Sequence, residues 1–363
     1  MFLGLGTGSY VACLRHVECE RQLRCFFTFL FGKVDILLPL CQQNLLKMKK
    51  LFFISLLLLA LQLNAQQMLV GTYNIRYKAW NDSVQGNQWQ KRCQVICDQV
   101  NFMAPDLFGA QEVLWVQLQD MLKGLDGYDF IGVGRDDGQR GGEHEPIFYK
   151  KDKFRLLDHG DFWLSETPDK PGLGWDAACV RICTWGKFAT KTGEQKRHGL
   201  FNRRKKDEQI VFYYFNLHMD HVGVVARREA AKLVVQRIRQ MADGYPVILT
   251  GDFNVDQTNE VYSIFTKSGL LKDSYEAARI RFAENGTFNN FKPELLTNSR
   301  IDHVFVSPQT HVEAYGVLTD SYWTRDDVDD ALKGTDAPQE ISFDSCTRRN
   351  PSDHYPVFVK LKL

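Results

Sequence analysis

Three things are scarce in this 363-residue chain: charge of one sign, cysteine in its main body, and apolar sequence long enough to cross a membrane. Lysine and arginine number 45 against 44 acidic residues, so no global basic field marks the chain for nucleic acid. The apolar run 51–63 is shorter than the roughly 20 residues that a helical span needs. It follows Met48-Lys49-Lys50 and leads into Asn64-Ala65-Gln66-Gln67. A basic start, a short apolar core and a small residue at a cleavage point make a signal peptide. The sequence is therefore read as a signal peptide over 48–65, initiated at Met48, with 1–47 a mis-assigned extension or a disordered tail. A retained signal anchor is the alternative. Export would place the remaining domain, 66–363, outside the cell or in the periplasm. Without residues 1–65, 38 basic residues face 41 acidic ones, a net charge of −3. Four of the nine cysteines (Cys13, Cys19, Cys25, Cys41) also fall in that segment. The five others, Cys93, Cys97, Cys179, Cys183 and Cys346, are odd in number and thinly spread, which excludes a disulfide framework. Their spacing with histidine is not that of a zinc site. Cys93 and Cys97, four apart on an expected helix, read as core residues.

What is present is an ordinary globular composition, 44% hydrophobic and 25% charged. From Met68 onward strand-like and helix-like segments alternate without a low-complexity linker or an internal repeat. Strands are expected at 69–75, 107–110, 128–133, 147–149, 154–157, 184–189, 210–217, 247–250, 301–306, 311–318 and 355–361. The run 210–217 is apolar and aromatic throughout, as in a strand buried on both faces. Helices are expected at 88–102, stopped by Pro105, and at 226–242, where Ala230, Leu233, Val234 and Ile238 share one side. Many strands and few helices predict two packed sheets with helices outside, in one domain. Two long loops remain, 197–209 with its Arg203–Lys206 charge run, and the polar 320–352. Loops this long are usually functional or mobile. A four-residue charge run in a loop is read as solvated.

The chemistry-bearing residues cluster where apolar strands end: Asn74, Gln111-Glu112, Asn216-Leu217-His218, Gly251-Asp252-Phe253-Asn254, Ile301-Asp302-His303 and Asp353-His354. A sheet protein puts converging ligand-facing groups there. Glu112 with Asn74 and Asp353 offers oxygen to a hard cation such as Mg2+. Taken alone, such a glutamate is a solvated or capping carboxylate. Asp252 and Asn254 point the same way if their segment is extended, one taking a proton from water while the other fixes the attacking oxygen. The plain alternative is a turn, since Gly, Asp and Asn are turn formers. A single strand-end histidine is more often a satisfied core residue than a catalytic one. Here His218 and His354 gain possible carboxylate partners, Glu143 and Asp302 respectively, as orienting carboxylates do elsewhere. Two imidazolium groups across a phosphate would offset the charge that builds on its oxygens.

Together, Thr72-Tyr73-Asn74-Ile75-Arg76, Gln111-Glu112-Val113, Asn216-Leu217-His218, Gly251-Asp252-Phe253-Asn254, Ile301-Asp302-His303-Val304 and Ser352-Asp353-His354-Tyr355-Pro356 resemble, in order and rough spacing, the endonuclease/exonuclease/phosphatase superfamily. Its members include deoxyribonuclease I, abasic endonucleases, deadenylases and neutral sphingomyelinases. The resemblance covers Met68 to Leu363. It implies a four-layer α/β sandwich, two packed mixed sheets flanked by helices, with the site at one edge of the paired sheets. It implies Glu112 and Asn74 at a Mg2+ or Mn2+ ion, with Asp353 as a further metal or water-orienting carboxylate. Asp252 and Asn254 then activate water and hold phosphate, and His218 and His354, the latter with Asp302, are the two histidines. Glu143 takes the place of the glutamate that buttresses the first histidine, with Glu145 close by. His218 leans away from the abasic endonucleases. Segments 163–168, 174–176 and 181–185 resemble a secreted bacterial branch.

Arg181 reaches a phosphate or pairs with a carboxylate such as Asp176, and Arg349 would clamp the far side of a substrate. The expectation is a secreted phosphoesterase, foremost a phosphodiesterase of nuclease type, acting as a monomer without a stable protein partner. A phosphatase or a lipid or sugar phosphodiesterase is the alternative, and a non-catalytic binding protein the remote one. The net charge of −3 beyond residue 65 counts against tight duplex binding. Trp80, Trp89, Trp163, Trp175, Tyr322 and Trp323 are candidates to line a sugar or base pocket, although most aromatics are core.

Overall fold

Alternate residues of each central strand enter different cores, and that alternation builds the layers. The computed structural model describes residues 67–191, 209–283, 285–325, 338, 341 and 344–363. The expectations for 1–65 and for the Arg203–Lys206 run lie outside the described residues. The first elements are β1 (Gln67–Asn74), α1 (Trp80–Val84), α2 (Trp89–Met103), β2 (Leu107–Gln111), β3 (Val113–Leu114), α3 (Trp115–Gly124), β4 (Tyr128–Ile131), β5 (Glu143–His144) and β6 (Ile147–Lys150). Next come β7 (Phe154–Trp163), β8 (Ile182–Thr190), β9 (Val211–His218), α4 (Val224–Ala242), β10 (Val247–Asp252), α5 (Glu260–Thr266), β11 (Lys272–Asp273) and α6 (Ser274–Ala277). The rest are β12 (Ile280–Phe282), β13 (Asp302–Val306), β14 (His311–Val317), β15 (Tyr322–Arg325), β16 (Cys346–Arg349) and β17 (Val357–Lys362).

A seven-stranded sheet runs in the order β12-β14-β17-β1-β2-β6-β4, and a six-stranded sheet in the order β11-β13-β10-β9-β8-β7. Met68, Val70, Leu107, Phe212, Tyr214, Ile248, Val304 and Val306 form the core between them. The other faces are covered by helices. Tyr73, Phe108 and Phe148 pack with Ile96, Val100, Leu118 and Met121 of α2 and α3. Phe215, Leu217 and Leu249 pack with Ala230, Val234 and Ile238 of α4. The result is the expected four-layer sandwich, with central strands buried on both faces.

The inner faces change character along the strands. With a side-chain period of two, Asn74, Gln111, His218, Asp252 and Asp302 belong to the same inward set as the apolar residues between the sheets. Before the strand ends comes a polar layer. Gln111 Nε2 donates to Asn216 Oδ1 at 2.7 Å and to Thr72 Oγ1 at 2.9 Å, while Thr250 Oγ1 donates to Asn216 Oδ1 at 3.1 Å. Asn216 Nδ2 then reaches across to the carbonyls of Ala110 and Pro146 at 2.7 and 3.1 Å. This network joins the two sheets and satisfies its buried groups. Gly109 makes it possible, because a Cβ there would lie 2.1 Å from Asn216 Oδ1. Gln111 and Asn216 thus lie beneath the site.

Element boundaries follow the expectations except where polar sequence hid regular structure. β7 continues through Asp158–Asp161 to Trp163, with a register shift between Leu156 and Asp158. The segment 320–352 contains the antiparallel pair β15–β16. Helix α3 was not foreseen. Among the described residues no helix is long and apolar enough to cross a membrane.

Candidate active site

Strand register places the central groups. In the six-stranded sheet Asp252 lies opposite His218 on β9 and Asp302 on β13, and in the other sheet Asn74 lies opposite Gln111. Where the sheets meet at this edge, Asp252 Oδ2 becomes a hub. It accepts from Asn74 Nδ2 at 3.0 Å and lies 3.4 Å from His218 Nε2 and 3.7 Å from His354 Nε2. Burial, reinforced by the Asp302 charge, pushes the Asp252 carboxyl up to about 7. A carboxylate tuned near neutrality is suited to accept a proton.

The two histidines are set oppositely. Burial works against charge on His354, but Asp302, at 2.9 Å from Nδ1, together with Asp252 holds its pKa well above the ordinary value. His354 is therefore an imidazolium. Burial, with Arg181 and Arg135 nearby, drives His218 well below the ordinary value, so it is neutral. Its Nε2 takes the Asn254 Nδ2 hydrogen at 3.0 Å, which leaves the proton on Nδ1. The expectation of two imidazolium groups is corrected to one. The expected extended segment through Asp252 and Asn254 is also a turn. β10 ends at Asp252, Asn254 has a left-handed φ of 49°, and its N–H closes onto Asp252 Oδ1 at 2.9 Å. The turn buries Phe253 against Phe265 and Phe305 and still aims both polar groups at the cleft.

Carboxylates gather at one end. Glu112, with φ 62°, accepts from Asn74 Nδ2 at 3.0 Å and from the Tyr77 N–H at 3.1 Å. Asp353 comes from the loop before β17, and Ser352 ties that loop to the Asn74 carbonyl at 2.7 Å. The buried Arg92 braces the same region by donating to the carbonyls of Ile75 and Pro351 at 2.7 and 3.0 Å. Glu112 and Asp353 converge on one cationic group, the Arg76 guanidinium, whose Nη1 lies 4.0 and 3.6 Å from them. A pair of oxygen donors facing a positive charge fits a hard divalent cation. Asn74 turns its amide nitrogen toward Glu112 and Asp252 and its Oδ1 toward the Arg76 N–H, so here it spaces the carboxylates apart. Asp252, Asp302 and His354 form a further group of potential ligand atoms within 4.8 Å of one another.

The other end is basic. Arg135 forks onto Glu143 at 2.7 and 2.9 Å. Glu143, expected behind His218, is thus engaged elsewhere, and Glu145 Oε1 stands 3.9 Å from His218 Nδ1. The two-residue strand period puts both glutamates on one side and His144 on the other, so the sequence alone could not choose between them. Glu145 is wholly buried, which raises its pKa to about 8. Arg181 is paired with Asp220 at 3.6 Å, and Asp176 instead accepts the Ala226 N–H at 2.6 Å at the start of α4. Arg349 is not at the cleft. Its donors are taken by the Gln85 carbonyl, Asn87 Oδ1 and Thr324 Oγ1 at 3.0 to 3.1 Å, which anchor β16 beside α1.

The cleft enclosed by these groups has a volume of about 650 Å3. Its aromatic lining is Tyr77, Phe288 and Phe291. Trp89 and Trp163 are buried, while Trp80 and Trp323 stand 80% and 64% exposed outside the lining. Arg76, Asp82, Arg135, Cys179 and His221 also line it and were missed. Arg76, two residues after Asn74, was within reach of sequence reasoning. Asp82 lies in the five-residue helix α1, too short for a periodic signal, and the others sit in loops.

Residues 71–354 match the Endonuclease/Exonuclease/phosphatase family. Among solved structures, a mannosyl-6-phosphatase of Bacteroides thetaiotaomicron VPI-5482 is 47% identical, with a TM-score of 0.71 over 81% of this chain and 99% of that one. An endonuclease/exonuclease/phosphatase family protein from Bacteroides thetaiotaomicron is 46% identical, with a TM-score of 0.72 over 82% and 98% of the two chains. An uncharacterized protein of Acanthamoeba polyphaga mimivirus is 24% identical over 232 residues, 60% of this chain and 80% of that one. With the family match covering residues 71–354 and its strand-end residues gathered in one cleft, the chain belongs to the endonuclease/exonuclease/phosphatase family and is a phosphoester hydrolase.

Proposed function

We propose that the protein is a divalent-metal-dependent phosphatase that removes phosphate from a phosphorylated sugar. The observation that carries this reading is a bounded cleft of about 650 Å3, with its reacting groups at the centre and aromatic side chains on its wall. That volume lies within the usual range for small-molecule sites. An apolar ring face such as that of Phe288, packed edge-on against His354 at 5.0 Å, suits the hydrocarbon face of a sugar. The similarity to a mannosyl-6-phosphatase supports a sugar phosphate over the nuclease-type diester expected first.

In this reading Asp252 takes the proton of the attacking water, and Asn254 with neutral His218 orients that water. The His354 imidazolium, held by Asp302, offsets the charge that develops on the phosphoryl oxygens. A Mg2+ or Mn2+ ion held by Glu112 and Asp353 would supply Lewis-acid stabilisation of the same oxygens. We also propose export through the signal segment 48–65, which cleavage after Ala65 in an expressing bacterium would test by N-terminal sequencing.

The direct test offers the purified protein mannose 6-phosphate, glucose 6-phosphate, single-stranded DNA, RNA and sphingomyelin, each with Mg2+ and with EDTA. Metal-dependent release of phosphate from the sugar phosphates is expected. Turnover confined to nucleic acid or sphingomyelin would overturn the sugar-phosphate reading, and full activity in EDTA would overturn the metal.

A further inference from the structure

Three arginines line the cleft, and two of them are committed. Arg76 bonds Asp82 through Nε at 3.0 Å and faces Glu112 and Asp353 through Nη1. Arg135 has its fork on Glu143. Arg181 is different. It is only 5% exposed, yet Nε and Nη1 find no hydrogen-bond partner among the described residues. Its nearest carboxylate oxygen, Asp220 Oδ2, is 3.6 Å from Nε, outside hydrogen-bond range. Asp220 is already saturated. Its Oδ1 accepts the N–H groups of Val222 and Gly223 at 2.9 and 2.7 Å, and its Oδ2 those of Ala178 and Cys179 at 3.1 and 3.3 Å. Asp220 therefore balances the charge and fixes both loops without using the guanidinium donors. The only hydrogen-bond contact made by Arg181 among the described residues is Nη2 with His221 Nδ1 at 3.2 Å.

Buried donors left unmade are costly, and a charged one more so. A group kept in that state beside a reaction cleft is matched to an acceptor that arrives with the ligand. For a guanidinium, the acceptor that satisfies several donors and returns the charge is a phosphoryl oxygen. The other cleft groups already serve the oxygens common to every phosphoester. A monoester carries one further free oxygen and one further negative charge, both of which a diester lacks. We propose that Arg181 binds this extra oxygen and makes the cleft selective for phosphate monoesters. The inference rests on phosphoester hydrolysis at Asp252 and His354, as proposed above, and adds the group that reads the ester's second charge.

The test compares wild type, Arg181→Met and Arg181→Lys on p-nitrophenyl phosphate and bis-p-nitrophenyl phosphate, which share a leaving group. Binding of inorganic phosphate is measured by calorimetry on the same Mg2+-loaded proteins, and folding by thermal melts. Arg181→Met is expected to lower the monoester-to-diester ratio of kcat/KM about 100-fold, the cost of removing one partner of a buried charge pair. It is also expected to weaken phosphate binding in step. Arg181→Lys, which keeps the charge without the fork, should recover part of both and stands in if the Met variant does not fold. An unchanged ratio, or phosphate bound as tightly by the variants as by wild type, overturns the proposal. If wild type hydrolyses neither ester, the ratio is read instead from mannose 6-phosphate against single-stranded DNA; inactivity on these too is failure of the proposed function on its own, and phosphate calorimetry still decides whether Arg181 holds the anion.

Discussion

The central floor of the cleft and its basic wall are built in different ways. The floor consists of residues at the ends of paired strands: Asn74 opposite Gln111, and Asp252 between His218 and Asp302. Backbone ladders fix these positions to a fraction of a residue, and the polar layer of Thr72, Gln111, Asn216 and Thr250 joins the two sheets immediately beneath. The wall is made by loops. Arg135, Cys179, Arg181 and His221 all lie outside the strands; Glu143 holds the first, Asp220 the next two, and His221 meets Arg181. A rigid sheet edge is suited to chemistry that tolerates little displacement. Loops on such a scaffold are suited to deciding which ester is accepted.

The comparison breaks most sharply at Asp252. Asp252→Asn keeps the shape of the hub and removes its capacity to accept a proton, so kcat/KM should fall about 1,000-fold. His354→Ala should fall by a similar factor, since it deletes an imidazole held charged at the centre of the cleft. Steady-state kinetics on a sugar phosphate, with melts to exclude unfolding, measure both. Retention of more than a tenth of the activity by either variant would remove that residue from the reaction.

A smaller effect is expected one layer out. Asp302→Asn leaves a hydrogen-bonding partner at His354 Nδ1 but removes the charge that, with Asp252, keeps the imidazole protonated. A histidine raised in the folded state contributes stability that is complete below its unfolded pKa and lost as pH rises through the folded one. The variant should therefore lose its imidazolium at lower pH than wild type, and with it that increment of stability. A proton NMR titration of His354 in metal-free protein reads this directly. An unmoved titration would mean that Asp302 only positions the ring.

Much of the floor was legible in the sequence, and most of the wall was not, for physical reasons. A strand buried on both faces leaves few places for a polar side chain, so Asn74, His218, Asp252 and Asp302 stand out against their apolar neighbours. The same logic could not separate residues that line the cleft from those beneath it, because Gln111 and Asn216 share the inward face. Nor could it foresee that Asn254 reaches His218 through a left-handed turn. In the wall, Arg181 was legible as a candidate with two alternative partners, but Arg135 stands in a loop where no period ties one residue to another, and Arg349 was placed at the cleft on proximity to Pro351 alone. Its real partners, Gln85 and Asn87, are more than 260 positions away in sequence.

Glu143 and Glu145 sharpen the contrast at the seam between floor and wall. Glu143 lies in β5 and Glu145 just past its end, yet Glu143 is bonded to Arg135 while Glu145 faces His218 with no hydrogen-bond partner among the described residues. Burial raises the Glu145 pKa to about 8. In the unfolded chain a glutamate titrates near 4.3. Between those values the folded state binds the extra proton, so this group makes stability fall as pH rises from about 4 to about 8. Glu145→Gln is neutral at every pH and nearly the same shape. The variant should melt close to wild type at pH 5 and above it at pH 8, with the gap opening across that interval. Melting curves of both proteins over the range test the sign. A variant less stable than wild type at pH 8 would mean that Glu145 is ionised in the fold, with its charge balanced by Arg135 and Arg181, and that the wall supports His218 electrostatically rather than by packing alone.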